Sequence, residues 1–254
     1  WSVKAELGRF KHTSGSNGSA NLTAINRFGV VEESIEPYQS SSWSATQDER
    51  CEKPAEDSEE KRPLICFTNG EPSEDAMGAN RFKLPPSRWI SSNRQNLKAF
   101  MAENETGVVV GMTFFYQSWN HRKSKLKVNS EYSRQGYVLY PNEADKEKSL
   151  EKRAGHSILI IGWDDDLEVP MVDEEGKSVL DEEGNPVVER GFFLFKNSWG
   201  TSKFGTSNPF GPGYGWLSMR YVEEYGSSVS ARPPSEDPSE RCADGGAAQC
   251  GGFI

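Results

Sequence analysis

Gly155-His156-Ser157-Ile158-Leu159-Ile160-Ile161-Gly162-Trp163 and Phe193-Leu194-Phe195-Lys196-Asn197-Ser198-Trp199-Gly200-Thr201 are the stretches whose reading decides the fold. Each holds a short apolar, β-prone run of the length of a buried strand. The first opens on a histidine, and the second closes on an asparagine and a tryptophan. A histidine at the mouth of a buried strand is held by rigid backbone, and its near-neutral pKa suits it to take and return a proton. Alone, such a histidine is more often simply packed or solvated. An asparagine ending another buried strand can accept a hydrogen bond from the imidazole and fix its orientation. A neighbouring tryptophan can keep water from that bond and so strengthen it. The other two histidines sit elsewhere, His12 in a polar approach to Gly15 and His121 in a basic loop.

Outward from these motifs, Val108 to Phe115 and Trp216 to Tyr221 read as two further strands, beside Ser157–Trp163 and Gly191–Lys196. Residues 19–28 read as a helix, capped by Ser19, with Leu22, Ile25 and Phe28 on one face and Gly29 as its stop. A second helix fits Ser92 to Glu103, with Leu97, Phe100 and Met101 on one side. Helices come early and strands late, the order of an α+β protein with a helical lobe and a β-rich lobe. Two units, Val172 to Val179 and Leu180 to Val187, repeat a β-turn signal and predict a protruding hairpin. Residues 39–60 are rich in Ser, Glu and Asp and read as an exposed insertion. The segment 227–254, with Pro233-Pro234 and many Ser and Gly, reads as a flexible tail.

A net charge of −9 argues against a nucleic-acid partner, since phosphate binding needs clustered Lys and Arg. The one basic run, Arg122 to Lys127, reads as a solvated loop. No apolar run approaches the roughly 18 residues of a membrane span. The four cysteines fall in two close pairs, Cys51 with Cys66 and Cys242 with Cys250, which points to two disulfides and an oxidising, secreted or otherwise extracytoplasmic compartment. Neither pair has the Cys-x-x-Cys spacing of zinc knuckles, and the acidic run Asp164-Asp165-Asp166 lacks EF-hand ligand order, so no metal or cofactor is expected.

The two quoted stretches, with Gly213-Tyr214-Gly215-Trp216, resemble the right-hand half of the papain family of cysteine peptidases. Three weaker matches run in the same order. Gly15-Ser16-Asn17-Gly18-Ser19 is similar to the family's Gly-Cys-Asn-Gly-Gly loop. Residues 29–38 resemble the segment leading to its Tyr-Pro-Tyr. Gly107-Val108-Val109-Val110 resembles its Pro-Val-Ser-Val strand. The resemblance implies a two-lobe fold over 1–226, with an incomplete helical lobe at about 1–85 and a β-barrel-like lobe at about 90–226. It also implies roles: His156 as general acid–base, Asn197 as its orienting partner and Trp199 as their shield. Gly18 and Ser19 would form the edge that pairs with substrate backbone, and Val108 and Ser157 would line a pocket for an apolar side chain.

The family's nucleophile lies in a Cys-Trp stretch some 130–150 residues before the histidine. No cysteine stands there, so the chain, which opens on Trp1 with no signal peptide, is expected to begin downstream of it as a processed product or a fragment. Ser16 replaces a family disulfide cysteine, and 204–212 lengthens the loop after the asparagine. Asn17-Gly18-Ser19, Asn21-Leu22-Thr23 and Asn104-Glu105-Thr106 fit the N-glycosylation pattern, the first in the expected cleft, where a glycan would block substrate. The function expected is a cysteine endopeptidase acting on peptides or proteins. The alternatives are an inactive papain-like binding module and a papain-fold acyltransferase or other thiol hydrolase. Nothing in the sequence speaks to oligomeric state.

Overall fold

The computed structural model describes residues 1–39, 48–52 and 62–231. Two compact units are present: Trp1–Ser87 with Ala231–Ile254, and Arg88–Ser230. The Cys242–Cys250 pair and all of the expected tail beyond Ala231 lie outside the described residues. Among those residues, no helix is long and apolar enough to cross a membrane.

The first unit is built on helix α1 (Gly18–Phe28), which buries Ala20, Leu22 and Ala24. Its cap is Asn17 and not Ser19. The Asn17 side chain accepts the Ala20 N–H at 2.8 Å, and Ser19 lies inside the first turn. A short helix α2 (Glu74–Gly78) follows, capped by Ser73. Lys4 is buried, its ammonium held by the carbonyls of Phe10, Thr13 and Gly15. Cys51 and Cys66 form a disulfide, one of the two bridges expected. It closes a loop with a sequence separation of 15, so chain-entropy arguments give it about 3 kcal/mol. Replacing Cys51 and Cys66 with serine is therefore expected to lower the denaturant midpoint of this unit. An unchanged midpoint would show that the bridge constrains little.

The second unit is a mixed α/β structure around one seven-stranded sheet. In chain order it comprises β1 (Arg88–Ile90), α3 (Arg94–Asn104), β2 (Val108–Thr113), α4 (Ser130–Gln135), β3 (Tyr137–Val138), α5 (Glu143–Leu150), β4 (Gly155–Pro170), β5 (Val188–Lys196), β6 (Tyr214–Ser218), α6 (Met219–Tyr225) and β7 (Gly226–Ser230). The spatial order is β1-β7-β2-β4-β5-β6-β3, antiparallel except for β3 beside β6. The sheet is open, which corrects the barrel-like expectation. Its end strands, β1 and β3, are three and two residues long and pair on one side only. The run Trp216–Tyr221 is also not one strand. Ser218 Oγ accepts the Tyr221 N–H at 3.1 Å and starts α6, whose Met219 and Val222 face the core at helical spacing. Residues 227–230, expected in the tail, belong to β7.

One sheet face carries Val108, Val110 and Met112 of β2, Ile158 and Ile160 of β4, and Phe193 and Phe195 of β5, in one core with Leu97, Phe100 and Met101 of α3. Antiparallel pairing puts Met112 opposite His156, so the imidazole lies at the edge of this buried face. The duplicated segment forms two matching turns. Asp173 Oδ1 accepts the N–H groups of Glu175 and Lys177, and Asp181 Oδ1 those of Glu183 and Asn185.

Candidate active site

His156 is the second residue of β4, and Asn197 directly follows β5, the strand hydrogen-bonded beside it. Their side chains meet: His156 Nε2 lies 2.8 Å from Asn197 Oδ1. The proton's position follows from a second bond. Asn197 Oδ1 also lies 2.8 Å from the backbone nitrogen of Ser198, which can only donate. That atom must therefore be the amide oxygen, and His156 Nε2 must donate to it. The basic lone pair of the neutral ring is thus left on Nδ1, which has no hydrogen-bond partner among the described residues. Asn197 Nδ2 is buried and unpartnered among them.

Asn197 is set by the loop after it. Its N–H donates to Gly213 O at 3.0 Å, and the Gly213 N–H donates to Phe204 O at 3.1 Å. Gly213 sits at φ 89°, a backbone region that disfavours side chains. At Gly215 a Cβ would come within 2.7 Å of both Phe195 and Phe204, so the Gly213-Tyr214-Gly215 pattern records close packing.

Aromatic rings wall the pair. Trp199 stacks on His156 with centroids 4.9 Å apart and planes 28° apart. Trp119 meets the imidazole edge-on at 5.0 Å, and Phe114 does so at 5.9 Å. This shell desolvates His156 and pushes its pKa down, partly opposed by the Asn197 hydrogen bond. His121, whose ring contacts Phe114 and Trp199, is also pushed down, first by burial and then by Lys123, Arg122 and His156. Both rings are therefore held neutral in the folded chain below the ordinary value of about 6.5. The unfolded chain takes up these protons first as pH falls, so their contribution to stability is complete above about 6.5 and declines as pH drops through the folded values. Thermal unfolding of the wild type is expected to lose more between pH 7.5 and pH 5 than that of a His121→Gln/His156→Gln variant. Equal losses would exclude the histidines as the cause.

The remaining expected residues fall in different places. Gly18 and Ser19 are in the first unit, at the first turn of α1. Asn17 takes the Ala20 N–H, and the N–H groups of Gly18 and Ser19 are first-turn donors without intrahelical acceptors. Val108 is fully buried opposite Ile160, four residues along β2 from the partner of His156. The residue opposite Ser157 is Gly111, where an added Cβ would sit 3.4 Å from Ser157 Oγ. Sequence reasoning did not single out Trp119, Phe114 or Gly111, and it left His121 in a solvated loop. The signal for the first two was the aromatic density of Phe114-Phe115-Tyr116 and Trp119, at the end of the strand expected over Val108 to Phe115 and just beyond it.

No family model matches the chain, and no curated protein matches its sequence. Solved structures do. The clostridial cysteine protease Cwp84, as a cysteine-to-alanine variant after propeptide cleavage, matches with a TM-score of 0.50 and 16% identity over 91% of this chain and 45% of its own. The cysteine protease and lectin-like domains of Cwp84, a surface layer associated protein of Clostridium difficile, match with a TM-score of 0.46 and 16% identity over 85% of this chain and 37% of that one. The chain thus spans less than half the length of these structures. At this identity the likeness is one of fold alone.

Proposed function

We propose that this chain is part of a papain-like cysteine endopeptidase and carries its acid–base histidine and orienting asparagine. The observation that carries the reading is the 2.8 Å bond from His156 Nε2 to Asn197 Oδ1 beneath the stacked Trp199. It leaves Nδ1 as the proton-accepting atom of a ring fixed in one orientation, which a merely packed histidine has no need of.

The nucleophile is a cysteine from outside residues 1–254. Among the described residues the cysteines are paired in the Cys51–Cys66 disulfide. The thiol gives its proton to His156 Nδ1, and the thiolate attacks the peptide carbonyl. The C–N bond breaks as Nδ1 returns that proton to the leaving amine. Water then attacks the thioester while Nδ1 takes its proton, and the thiol is regenerated. Burial alone favours the neutral ring, so the imidazolium needs the thiolate as its counter-charge. Gly18 and Ser19 offer N–H donors to substrate backbone. Ser157, with Gly111 and not Val108 beside it, lines a pocket for an apolar side chain. The disulfide fits an extracytoplasmic location.

The second reading, an inactive binding module of the same fold, rests on the lack of a thiol near His156 within the described residues. A thiol-directed peptidyl probe applied to the protein with its upstream coding sequence restored separates the two. Labelling that depends on His156 is expected, and silence would leave the binding module.

A further inference from the structure

The loop 120–124 is more firmly built than a solvated basic turn requires. Asn120 holds a left-handed backbone at φ 48°, uncommon for a side-chain-bearing residue. Its side chain ties down both directions. Nδ2 donates to Tyr137 O at 3.1 Å, and Oδ1 accepts the Asn129 N–H at 3.0 Å. The His121 N–H donates to Tyr116 O at 2.9 Å, and the Ser124 N–H to His121 O at 2.8 Å. Rings fix the imidazole, with centroids 5.5 Å from Phe114, 5.7 Å from Tyr116 and 5.7 Å from Trp199. Trp199 is the same indole that stacks on His156, so His121 stands one ring away from the candidate acid–base.

Its tautomer follows from a backbone donor. The Lys123 N–H lies 3.2 Å from His121 Nδ1, which must accept, so the ring proton is on Nε2. No described residue accepts from that Nε2–H. The cations beside it are also unspent. Lys125 pairs with Glu151 and Lys127 with Glu175, whereas Arg122 and Lys123 are exposed and have no ion-pair partner among the described residues. In a chain of net charge −9, a rigid turn that presents an imidazole N–H and two unpaired cations beside the acid–base pair has the chemistry of an anion site.

We propose that His121, Arg122 and Lys123 form a subsite for a carboxylate of the substrate next to the scissile bond, either an acidic side chain or a free C-terminus. This rests on the peptidase reading for its purpose but not for its binding chemistry. A bound carboxylate would offset the mutual repulsion of His121, Arg122 and Lys123 and let His121 protonate more readily.

Binding can be read without catalysis. His121 and His156 ring-nitrogen NMR shifts of the 254-residue chain would be followed against pH with N-acetyl-glutamate N-methylamide, its glutamine analogue and N-acetyl-alanine as probes. The glutamate probe is expected to raise the His121 pKa and the glutamine probe to leave it unchanged, with the effect lost in the exposed double variant Arg122→Gln/Lys123→Gln. A stronger response to N-acetyl-alanine than to the glutamate probe would assign the subsite to a free C-terminus. Identical or absent responses to all three overturn the proposal. In the complete protein, peptides with Glu flanking the cleaved bond are expected to show a kcat/KM about tenfold above their Gln counterparts, given the strength of charge-assisted hydrogen bonds. Cleavage without that preference rejects the subsite and keeps the peptidase. A carboxylate response in the chain without cleavage by the complete protein does the reverse.

Discussion

Replacing His156 with alanine in the protein that carries its nucleophile is expected to lower kcat/KM for peptide hydrolysis by about 10⁶-fold, with folding unimpaired. That is the loss typical of removing one member of a nucleophile–base constellation. The residue is half-buried near the start of β4, and its replacement leaves the buried Ile158 and Ile160 of that strand in place. Asn197→Ala is expected to cost less, because the Trp199 stack still restrains the ring. Its signature is a changed alkaline limb of the pH–rate profile, since the Asn197 hydrogen bond raises the imidazole pKa. Single-turnover acylation rates with a chromogenic peptide ester measure both effects. An alanine variant that acylates at the wild-type rate would remove His156 from the mechanism.

Asp145→Ala is expected to destabilise the second unit by about 4 kcal/mol, although the residue touches nothing at the site. Asp145 is 1% exposed and accepts four hydrogen bonds. Oδ1 takes the Gln117 N–H at 3.0 Å and the Ser149 hydroxyl at 2.9 Å, and Oδ2 takes the Ser118 N–H and its hydroxyl, each at 2.8 Å. Alanine leaves all four donors without this acceptor in a dry interior. Three of them belong to the turn that carries Trp119, a fully buried indole stacked on Phe114 at 5.4 Å and edge-on to His156. The variant should therefore show a lower denaturant midpoint and also a weaker near-ultraviolet signal from the aromatic cluster at temperatures where secondary structure persists. Asp145→Asn keeps an acceptor oxygen and turns one backbone contact donor to donor, while the serine hydroxyl beside it can rotate to accept, so it should fall between. A stability within about 1 kcal/mol of wild type for Asp145→Ala would mean the turn is held by its aromatic packing alone.

The parts of the site that were legible in the sequence are those encoded at short range. His156 and Asn197 each adjoin an apolar run, and adjacent antiparallel strands bring such ends together, so two local motifs sufficed to pair them. Other assignments failed at the scale of one residue. Ser19 and Asn17 both satisfy the chemistry of a helix cap, and only the path of the chain into α1 selects Asn17. Met219 and Tyr221 suit a strand as well as a helix, until Ser218 supplies a cap. Nothing local marks His121 as a neighbour of Trp199, because that contact joins residues far apart in sequence through Phe114 and the turn anchored on Asp145.

By itself, the sequence determined the strands that carry His156 and lead to Asn197, though not that β4 leaves Leu159, Ile161 and Trp163 exposed, the helix that buries Leu97, Phe100 and Met101, and one local cysteine bridge. Each depends on residues close in sequence, at most 15 apart for the bridge, or on one apolar periodicity. Only the tertiary structure decided that the sheet stays open, that Gly111 and not Val108 stands beside Ser157, and that an aromatic wall with a second histidine closes around the acid–base pair. Strand register and loop placement are set by which long-range arrangement buries every apolar face at once. No segment carries that information alone.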